Sequence, residues 1–526
     1  MSEQHASAGG GGSSNSRVLL GLGAVLVAYA VSAAMGLPQK GTELVNHSSA
    51  AEHREPAAAA HPPAAEAHDE PHPAYFMVLP FCLLLAAIAL FPLMHATEHW
   101  WDNNTHKFYV AGGLGLVTLL YYLFAYGHPI DKHFLDHQVV APHGSPAWEL
   151  PWVIFQNSIF NDFVPFIILL FALFTICGGI RISGDLVAHP GTNTVFLLVG
   201  ALLASFIGTT GAAMLLIRPL LETNAERKKV AHTVVFFIFI VCNCGGCLLP
   251  IGDPPLFIGY LKGVEFLWTL KLWKEWALVN GALLVIYFLW DTLFAYPHEA
   301  KRDIKRDITQ TRKLTIDGLM PNAPLLICVV LATALLGPTK PFPGTNWLPW
   351  LYLREVVQLA LVGVSLLLTA PRIRPANNFS YGAIVEVGAL FIGIFICMQP
   401  ALQILDVKGA SLGIDTTAKF FWFTGALSSL LDNAPTYLVF FETAKTLPDR
   451  GVAEMADVAV DFLAAISLGA VFMGANTYIG NGPNFMVKTI AEKSGIKMPS
   501  FFGYMAYSFG VLIPLFIVIT FVFFQG

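Results

Sequence analysis

The chain has 526 residues, of which 55% are hydrophobic and only 12% are charged. This composition excludes an ordinary soluble enzyme and indicates a membrane protein with several spans. The net charge of −5 is spread thinly over the links between apolar runs, which argues against binding to nucleic acid. The seven cysteines all lie in apolar stretches, so they do not indicate the disulfide framework of a secreted protein.

The N-terminal region divides by composition into three parts. Residues 1–16 form a polar tail rich in glycine and serine, and residues 17–36 are apolar and long enough to span a bilayer. Two interpretations of this stretch stay open: a signal sequence, cleaved or retained as an anchor, and an extra transmembrane helix. Residues 37–73 are rich in alanine, proline and histidine and are predicted to be a linker, disordered from about residue 45.

From residue 74 onward, the apolar runs occur in the same order in two halves of the chain. Repeat 1 covers 74–296, repeat 2 covers 322–526, and a basic linker at 297–321 joins them. In each half, three spans precede a hairpin, a broken helix and a last span. The predicted ranges are 74–94, 107–125, 159–179, 193–221, 230–262 and 275–296 in repeat 1, and 322–337, 352–370, 380–400, 417–442, 456–492 and 500–525 in repeat 2.

The positive charges predict how these parts cross the membrane. Six lysines and arginines lie between positions 301 and 313, so the basic linker is predicted to be cytoplasmic. When the spans are counted outward from the basic linker, the other basic clusters also lie on the cytoplasmic side. The two hairpins then enter the membrane from opposite sides. The predicted fold is therefore an all-α polytopic membrane protein of two inverted repeats, each with a re-entrant helical hairpin and a broken transmembrane helix.

Each hairpin and each broken helix is interrupted near its middle by small and polar residues. The interruptions are GTTG at 208–211, GDPP at 252–255, SSLLDNAP at 428–435 and GANTYIGNGP at 474–483. Broken backbone at membrane depth is tolerated only where it is buried in protein or lines a watery cavity. Paired breaks in corresponding positions of two halves predict a transporter's binding site.

Two acidic residues stand inside these breaks. A carboxylate is costly in a bilayer, so Asp253 and Asp432 are predicted to handle ions or protons. With them, the breaks supply hydroxyl and amide ligands suited to sodium, and Asp253, Asp432, Thr210 and Asn481 are predicted to hold the ion. The full predicted set is Thr209, Thr210, Asp253, Asp432, Asn433, Asn476, Thr477 and Asn481. The alternative is that Asp432 and Asn433 cap helix ends while the glycines allow tight turns.

A third acidic residue lies inside a predicted span. Glu386 stands about one third of the way along YGAIVEVGALFIGIF. It is interpreted either as a proton relay or as the buried partner of another charge.

The break sequences also resemble a known family. IGDPP after CNCGGCLLP, LLDNAPT at the second hairpin and GANTYIGNGPNFMVK are similar to the ion transporter superfamily, which includes D-type sodium/proton antiporters, arsenite pumps and citrate or dicarboxylate carriers. The resemblance covers about 74–525. In dicarboxylate carriers both hairpin tips carry a Ser-Asn-Thr signature, whereas the tips here read Gly-Thr-Thr at 208–210 and Leu-Asp-Asn at 431–433. An aspartate at a tip would repel a carboxylate substrate, so the resemblance favours a cation antiporter.

The predicted function is the exchange of sodium or lithium for protons by alternating access. The alternative is sodium- or proton-coupled transport of an anion such as a dicarboxylate, citrate or arsenite. The sequence contains no nucleotide-binding or hydrolase motif, so the protein is predicted not to be an enzyme and to need no cofactor. Its predicted partners are sodium ions, protons and the lipid bilayer of a bacterial inner membrane, with a homodimer left open.

Overall fold

The computed structural model describes residues 10–52, 71–136, 138–300, 302, 309, 312–448 and 451–525. The chain is 72% helical with almost no sheet, so the predicted all-α fold class is confirmed. The α-helices of the described residues are Gly10–Ala34, Leu37–Glu52, Leu79–Leu90, Glu98–Trp101, Asn104–Phe124, Glu149–Phe155, Val164–Cys177, Pro190–Ile207, Thr209–Thr223, Ala231–Ile240, Pro254–Leu261, Trp273–Trp290, Leu319–Leu335, Leu353–Leu368, Ile373–Ala376, Gly382–Cys397, Gln399–Lys408, Thr417–Ser428, Asn433–Lys445, Val460–Met473, Gly482–Lys493 and Phe501–Phe523.

Shorter elements join these helices. π-Helical turns occur at Gln156–Phe163 and Asp291–Ala295. The described 3-10 turns are Tyr75–Val78, Phe91–Leu93, Cys244–Cys247, Pro250–Gly252, Trp268–Leu272, Tyr296–His298, Gly409–Leu412 and Gly474–Asn476. Three antiparallel two-stranded ribbons pair Ile130–Lys132 with Gln138–Val140, Arg181–Ser183 with Thr315–Asp317, and Glu454–Met455 with Val458–Ala459.

Several helices are suited to crossing a membrane. Among the described residues, six are long and apolar enough, and the bent pair Gly382–Cys397 and Gln399–Leu412 would be a seventh. The six are Asn15–Ala34, Asn104–Phe124, Glu149–Cys177, Pro190–Ile207, Trp268–His298 and Phe501–Phe523. The protein is therefore a multi-pass membrane protein. The inverted orientation of the two repeats stays a prediction.

The two hairpins turn at the residues where the sequence is broken. Hairpin 1 consists of Pro190–Ile207 and Thr209–Thr223, and its turn is Gly208 with φ of 79°, a conformation that strains any residue with a side chain. Hairpin 2 consists of Thr417–Ser428 and Asn433–Lys445. Its second helix begins with an N-cap, because a side-chain oxygen of Asp432 accepts a hydrogen bond from the Ala434 amide.

The two broken helices are interrupted in similar ways. Broken helix 1 is Ala231–Ile240 followed by Pro254–Leu261, and broken helix 2 is Val460–Met473 followed by Gly482–Lys493. The residue that precedes each second half is extended: Asp253 has φ −144° and ψ 143°, and Asn481 has φ −152° and ψ 138°. A proline in the first turn of each second half removes an amide hydrogen and favours a helix start at that point.

Glycines allow the chain to cross over itself inside both breaks. A Cβ atom at Gly252 would collide with the carbonyl oxygen of Gly246, and a Cβ atom at Gly480 would lie 2.6 Å from the carbonyl oxygen of Gly474. Any side chain at Gly252 or Gly480 would therefore force the two backbone segments apart.

The chain divides into two compact units. Unit 1 comprises Met1–Leu84, Trp100–Gly179 and Gly318–Gln403, and unit 2 comprises Leu85–His99, Ile180–Asp317 and Ile404–Gly526. Both hairpins and both broken helices belong to unit 2. Each unit takes segments from both predicted repeats, and the repeat boundaries themselves stay a prediction.

Within unit 1, two long helices pack backbone to backbone. Asn104–Phe124 lies against Gly382–Cys397, where a Cβ atom at Gly393 would lie 2.6 Å from the carbonyl oxygen of Ala111. The Ser158 hydroxyl adds a link by donating to the carbonyl oxygen of Phe395 at 3.0 Å. These close contacts between helices are typical of membrane proteins, where small residues at the interface provide the packing.

The N-terminal part of unit 1 differs from its prediction. Residues 37–52, predicted as linker, form a helix, and the preceding helix begins at Gly10, inside the predicted polar tail. The Thr42 hydroxyl donates to the carbonyl oxygen of Pro349 at 3.1 Å, and the Asn46 amide donates to that of Pro338 at 3.0 Å. These bonds order the segment although its composition is typical of a linker. The rest of the predicted linker, residues 53–70, lies outside the described residues.

Candidate ion-binding site

Asp253 is a buried carboxylate in unit 2. Only 1% of the residue is exposed. Its backbone is extended, and it directly precedes the helix that starts at Pro254. A carboxylate this deeply buried is stable only with compensating partners.

Three side chains donate hydrogen bonds to the Asp253 carboxylate. The Thr209 hydroxyl donates to Oδ1 at 2.8 Å, the Asn481 amide donates to Oδ1 at 3.2 Å, and the Asn433 amide donates to Oδ2 at 2.5 Å. Thr209 comes from the tip of hairpin 1, Asn433 from the tip of hairpin 2 and Asn481 from broken helix 2. All four breaks of the chain therefore meet at one carboxylate.

The positive charge that usually accompanies a buried carboxylate is missing from this arrangement. In the described part of the chain, no lysine, arginine or histidine makes a hydrogen bond or ion pair with Asp253 or Asp432. The second acidic residue, Asp432, lies close enough to Asp253 to interact with it electrostatically. Two like charges with neutral donors form a site that a proton or a cation would stabilise.

Asp432 is less buried than Asp253 and has a structural contact of its own. Its Oδ1 atom accepts the Ala434 amide hydrogen at 3.1 Å and caps the second helix of hairpin 2. The capping interpretation is therefore part of its role. Among the described residues, none donates to its Oδ2 atom, which leaves one carboxylate oxygen for an ion.

Two buried amide oxygens of the site accept no hydrogen bond. These are Oδ1 of Asn433 and Oδ1 of Asn476, neither of which has a partner among the described residues. Their amide nitrogens are engaged, with Asn433 donating to Asp253 and Asn476 donating to the Ser429 hydroxyl at 2.9 Å. A buried acceptor without a donor is costly, and a bound cation would relieve that cost.

The remaining predicted residues differ in their contacts. The Thr477 hydroxyl donates to the carbonyl oxygen of Ser429 at 2.6 Å and accepts from the Ile479 and Gly480 amides, so it shapes the break of broken helix 2. Thr210 is half-buried, and no hydrogen bond to it is found in the described part of the chain. Its role as a sodium ligand stays a prediction.

Two asparagines beside the site were not predicted from the sequence. The Asn243 amide donates to Oδ1 of Asn484 at 2.8 Å, and the Asn484 amide donates to the carbonyl oxygens of Gly474 and Thr477. Both asparagines are fully buried, and they join the breaks of the two broken helices. The available signal was an amide within an otherwise apolar CNCGGC segment.

Four carbonyl oxygens in the breaks of the two broken helices accept hydrogen bonds from neighbouring helices. The helix Trp273–Trp290, here called supporting helix 1, donates from Trp276 to the carbonyl oxygen of Gly245 and from Asn280 to that of Cys244. Phe501–Phe523, here called supporting helix 2, donates from Tyr504 and Ser508 to the carbonyl oxygens at 475 and 476. Side chains of the protein thus satisfy the broken backbone that lipid could not.

The match to known families agrees with this arrangement. Residues 71–524 match the profile of a family described as "putative citrate transport". The chain belongs to this family. A comparison with curated proteins finds no match. As a member of the citrate transport family, the protein is a secondary transporter of ions or anions.

Glu386, which was predicted as a possible proton relay, lies in unit 1. Nζ of Lys107 is 2.6 Å from Oε1 of Glu386, and the lysine side chain is 7% exposed while that of the glutamate is 43% exposed. Glu386 therefore has a charged partner, but its side chain is half-exposed and not buried as the buried-partner interpretation expected. Its role as a proton relay stays a prediction.

Proposed function

We propose that the protein exchanges sodium or lithium ions for protons across the membrane by alternating access. The observation that supports this proposal is the buried Asp253 carboxylate, whose described partners are neutral donors from the three other breaks. Either a proton or a small cation neutralises such a carboxylate. The proton and the cation exclude each other from the carboxylate. The site therefore carries the cation in one direction and the proton in the other, which couples the two fluxes.

The oxygen atoms around Asp253 suit a small hard cation. The carboxylates of Asp253 and Asp432 supply the charge, and the unpaired amide oxygens of Asn433 and Asn476 supply neutral ligands. Hard cations of this kind bind carboxylate, carbonyl and hydroxyl oxygens rather than sulfur. Both hairpin tips contribute to the site, so a movement of either hairpin changes the ligand set and its access to water.

The family description favours a second candidate function, the transport of citrate coupled to sodium or protons. In that case the carboxylates would hold the driving cation, and the anion would bind beside it. A citrate anion needs positive charge or many hydrogen-bond donors. The side chains that donate hydrogen bonds at this site already donate to the Asp253 carboxylate, so those hydrogen atoms are not available to an anion. The cation exchange is therefore the better-supported proposal.

Purified protein in liposomes with an imposed proton gradient separates the two candidates. Sodium or lithium, added without any organic solute, is expected to collapse the gradient, and potassium is not. Asp253→Asn is expected to abolish the response, whereas Asp415→Asn, which removes an exposed carboxylate paired with Lys419, should retain it. A proton flux that requires citrate, together with sodium-driven uptake of labelled citrate, would reject exchange in favour of anion transport.

A further inference from the structure

A buried cluster of charged side chains lies at the base of hairpin 1 and shares no described hydrogen bond with Asp253. We call it the base cluster, and all its members belong to unit 2. Its four charged or titratable residues are between 0% and 8% exposed, and a buried tyrosine contacts two of them. The members are Arg227, His232, Tyr287, Asp291 and Glu299.

Arg227 connects the two ends of hairpin 1 to supporting helix 1. It follows the second helix of the hairpin, donates to both carboxylate oxygens of Asp291, and also donates to the carbonyl oxygen of Ala188, just before the first helix. Glu299 accepts the backbone amides of Lys228 and Lys229 at 3.1 Å and 2.8 Å. The hairpin is therefore fixed at its base by charged groups.

A reciprocal pair of amides closes the same base. Asn193 and Asn224, one on each side of hairpin 1, donate to each other's oxygens at 2.9 Å. This pair carries no charge, so it holds the two arms together at any pH.

His232 brings broken helix 1 into the same cluster. Its Nε2 atom lies 3.0 Å from Oδ1 of Asp291, and its ring stacks on Tyr287 with centroids 5.9 Å apart. The Tyr287 hydroxyl in turn donates to Oδ2 of Asp291 at 3.3 Å. Asp291 thus links the base of hairpin 1 and the start of broken helix 1 to the end of supporting helix 1.

The charge of the base cluster depends on one proton. Arg227 offsets one of the two carboxylates, so the cluster carries one negative charge when His232 is neutral and none when it is protonated. Imidazole is the side chain that changes charge between about pH 5 and 8. A protonated imidazole also makes a stronger, charge-assisted bond with Asp291.

Other charged groups on the elements around His232 are accounted for. The first helix of hairpin 1 and the turns Cys244–Cys247 and Gly474–Asn476 contain no charged residue. Supporting helix 1 carries Lys274 and Glu275 at its opposite end. The second half of broken helix 2 carries Lys488, Glu492 and Lys493, where Lys488 pairs with Glu492 at 2.9 Å.

We propose that His232 is a positioning residue that anchors hairpin 1 in a proton-dependent manner. Protonation strengthens its bond to Asp291, holds broken helix 1 and the hairpin base together, and slows the change of conformation. Deprotonation leaves an excess negative charge in the cluster and releases the hairpin. The effect on transport rests on the proposed exchange function, whereas the effect on the hairpin base does not.

Hydrogen exchange tests the anchor without any transport. Full-length protein in lipid nanodiscs is measured at about pH 6 and about pH 8.5, with rates corrected for the intrinsic effect of pH. Backbone amides at 186–194 and 224–232 are expected to be several-fold better protected at the acidic pH. Equal protection of these amides in the wild-type protein would overturn the proposal, even if no variant folds.

Three variants separate charge from structure. His232→Gln keeps a hydrogen-bond donor without the charge. In this variant the backbone amides at the base of hairpin 1 should lack the extra protection at acidic pH. His232→Lys keeps a positive charge, and its base should stay protected at both pH values. His298→Gln, which changes an exposed histidine two turns beyond Asp291, serves as the control and should behave as wild type. A wild-type pH response in His232→Gln would contradict the proposal.

Sodium-dependent proton flux at saturating sodium provides the second readout. His232→Gln is expected to transport several-fold faster than wild type at about pH 6 and equally fast at about pH 8.5, because its hairpin is released at both. If no variant transports sodium while the exchange data follow the expected pattern, the anchor stands and the proposed exchange function fails.

Discussion

The two acidic residues of the site differ in what holds them. The Asp253 carboxylate accepts three side-chain hydrogen bonds and, among the described residues, none from a backbone amide, whereas the Asp432 carboxylate accepts a backbone amide as a helix cap. An asparagine can still cap a helix, so Asp432→Asn should fold with little loss. Asparagine at 253 removes the charge on which all four breaks converge.

These contacts predict unequal effects of the two neutral variants. Asp253→Asn is expected to reduce sodium-dependent proton flux by about 100-fold, since a lost charge–ligand interaction of about 3 kcal/mol corresponds to that factor. Asp432→Asn should raise the sodium concentration for half-maximal flux by about 10-fold while retaining activity at high sodium. Flux measured against sodium concentration checks both. Native rates in a folded Asp253→Asn protein would show that this carboxylate is structural.

The neutral ligands allow a finer comparison. Asn476→Ala removes a buried amide oxygen that lacks a donor and is expected to weaken apparent sodium affinity by about 5-fold, the effect of about 1 kcal/mol. Thr210→Ala is the matched control, because no hydrogen bond joins Thr210 to the carboxylates in the described structure. Apparent sodium affinity from initial rates distinguishes the two. Equal weakening by both variants would place Thr210 among the ligands after all.

At the scale of single residues, the sequence identified the chemistry better than the geometry. Asp253 and Asp432 were predictable because charge is rare in apolar runs and therefore conspicuous. The contact between Asp253 and Asn481 was not predictable, because 228 positions separate the two residues and nothing in the local sequence sets the distance between them. Asn243 and Asn484 were overlooked because each is a single amide without a charge.

At the scale of elements, the interruptions were predictable and the ordered N-terminal helices were not. Gly208 ends one helix and Pro254 begins another for local steric reasons, so the breaks lie where the sequence indicates. Residues 37–52 become helical through bonds to Pro338 and Pro349. Bonds between segments about 300 positions apart leave no pattern in the composition of either.

The same contacts predict the cost of removing the N-terminal helices. Deletion of residues 1–52 eliminates the bonds from Tyr29, Thr42 and Asn46 to the carbonyl oxygens of Leu351, Pro349 and Pro338. At about 1 kcal/mol each, the loss should lower the melting temperature in detergent by several degrees. Thr42→Ala alone should cause about a third of the shift. An unchanged melting temperature in the deletion variant would show that these helices add no stability.

At the scale of the whole molecule, the two compact units could not be derived from the order of parts. The sequence shows two halves with the same succession of spans, but the units combine pieces of both halves. Unit 2 collects the hairpins and broken helices, whose polar breaks must be buried against each other. Unit 1 collects spans without such breaks. The repeated order therefore describes the chain, while burial of the breaks explains how unit 2 is assembled.

Asp253 and Asn481 occupy corresponding positions in the two broken helices, and their side chains set how many charges the broken helices bring to the site. Both residues follow a glycine, both are extended, and both precede a helix with proline in its first turn. One is a carboxylate and the other its neutral isostere, and they are bonded to each other. Two aspartates there would repel, and two asparagines would attract no ion. The two broken helices thus contribute a single titratable carboxylate to the site, and in the proposed exchange a second proton or charge per cycle would come from another acidic residue, such as Asp432 at the tip of hairpin 2.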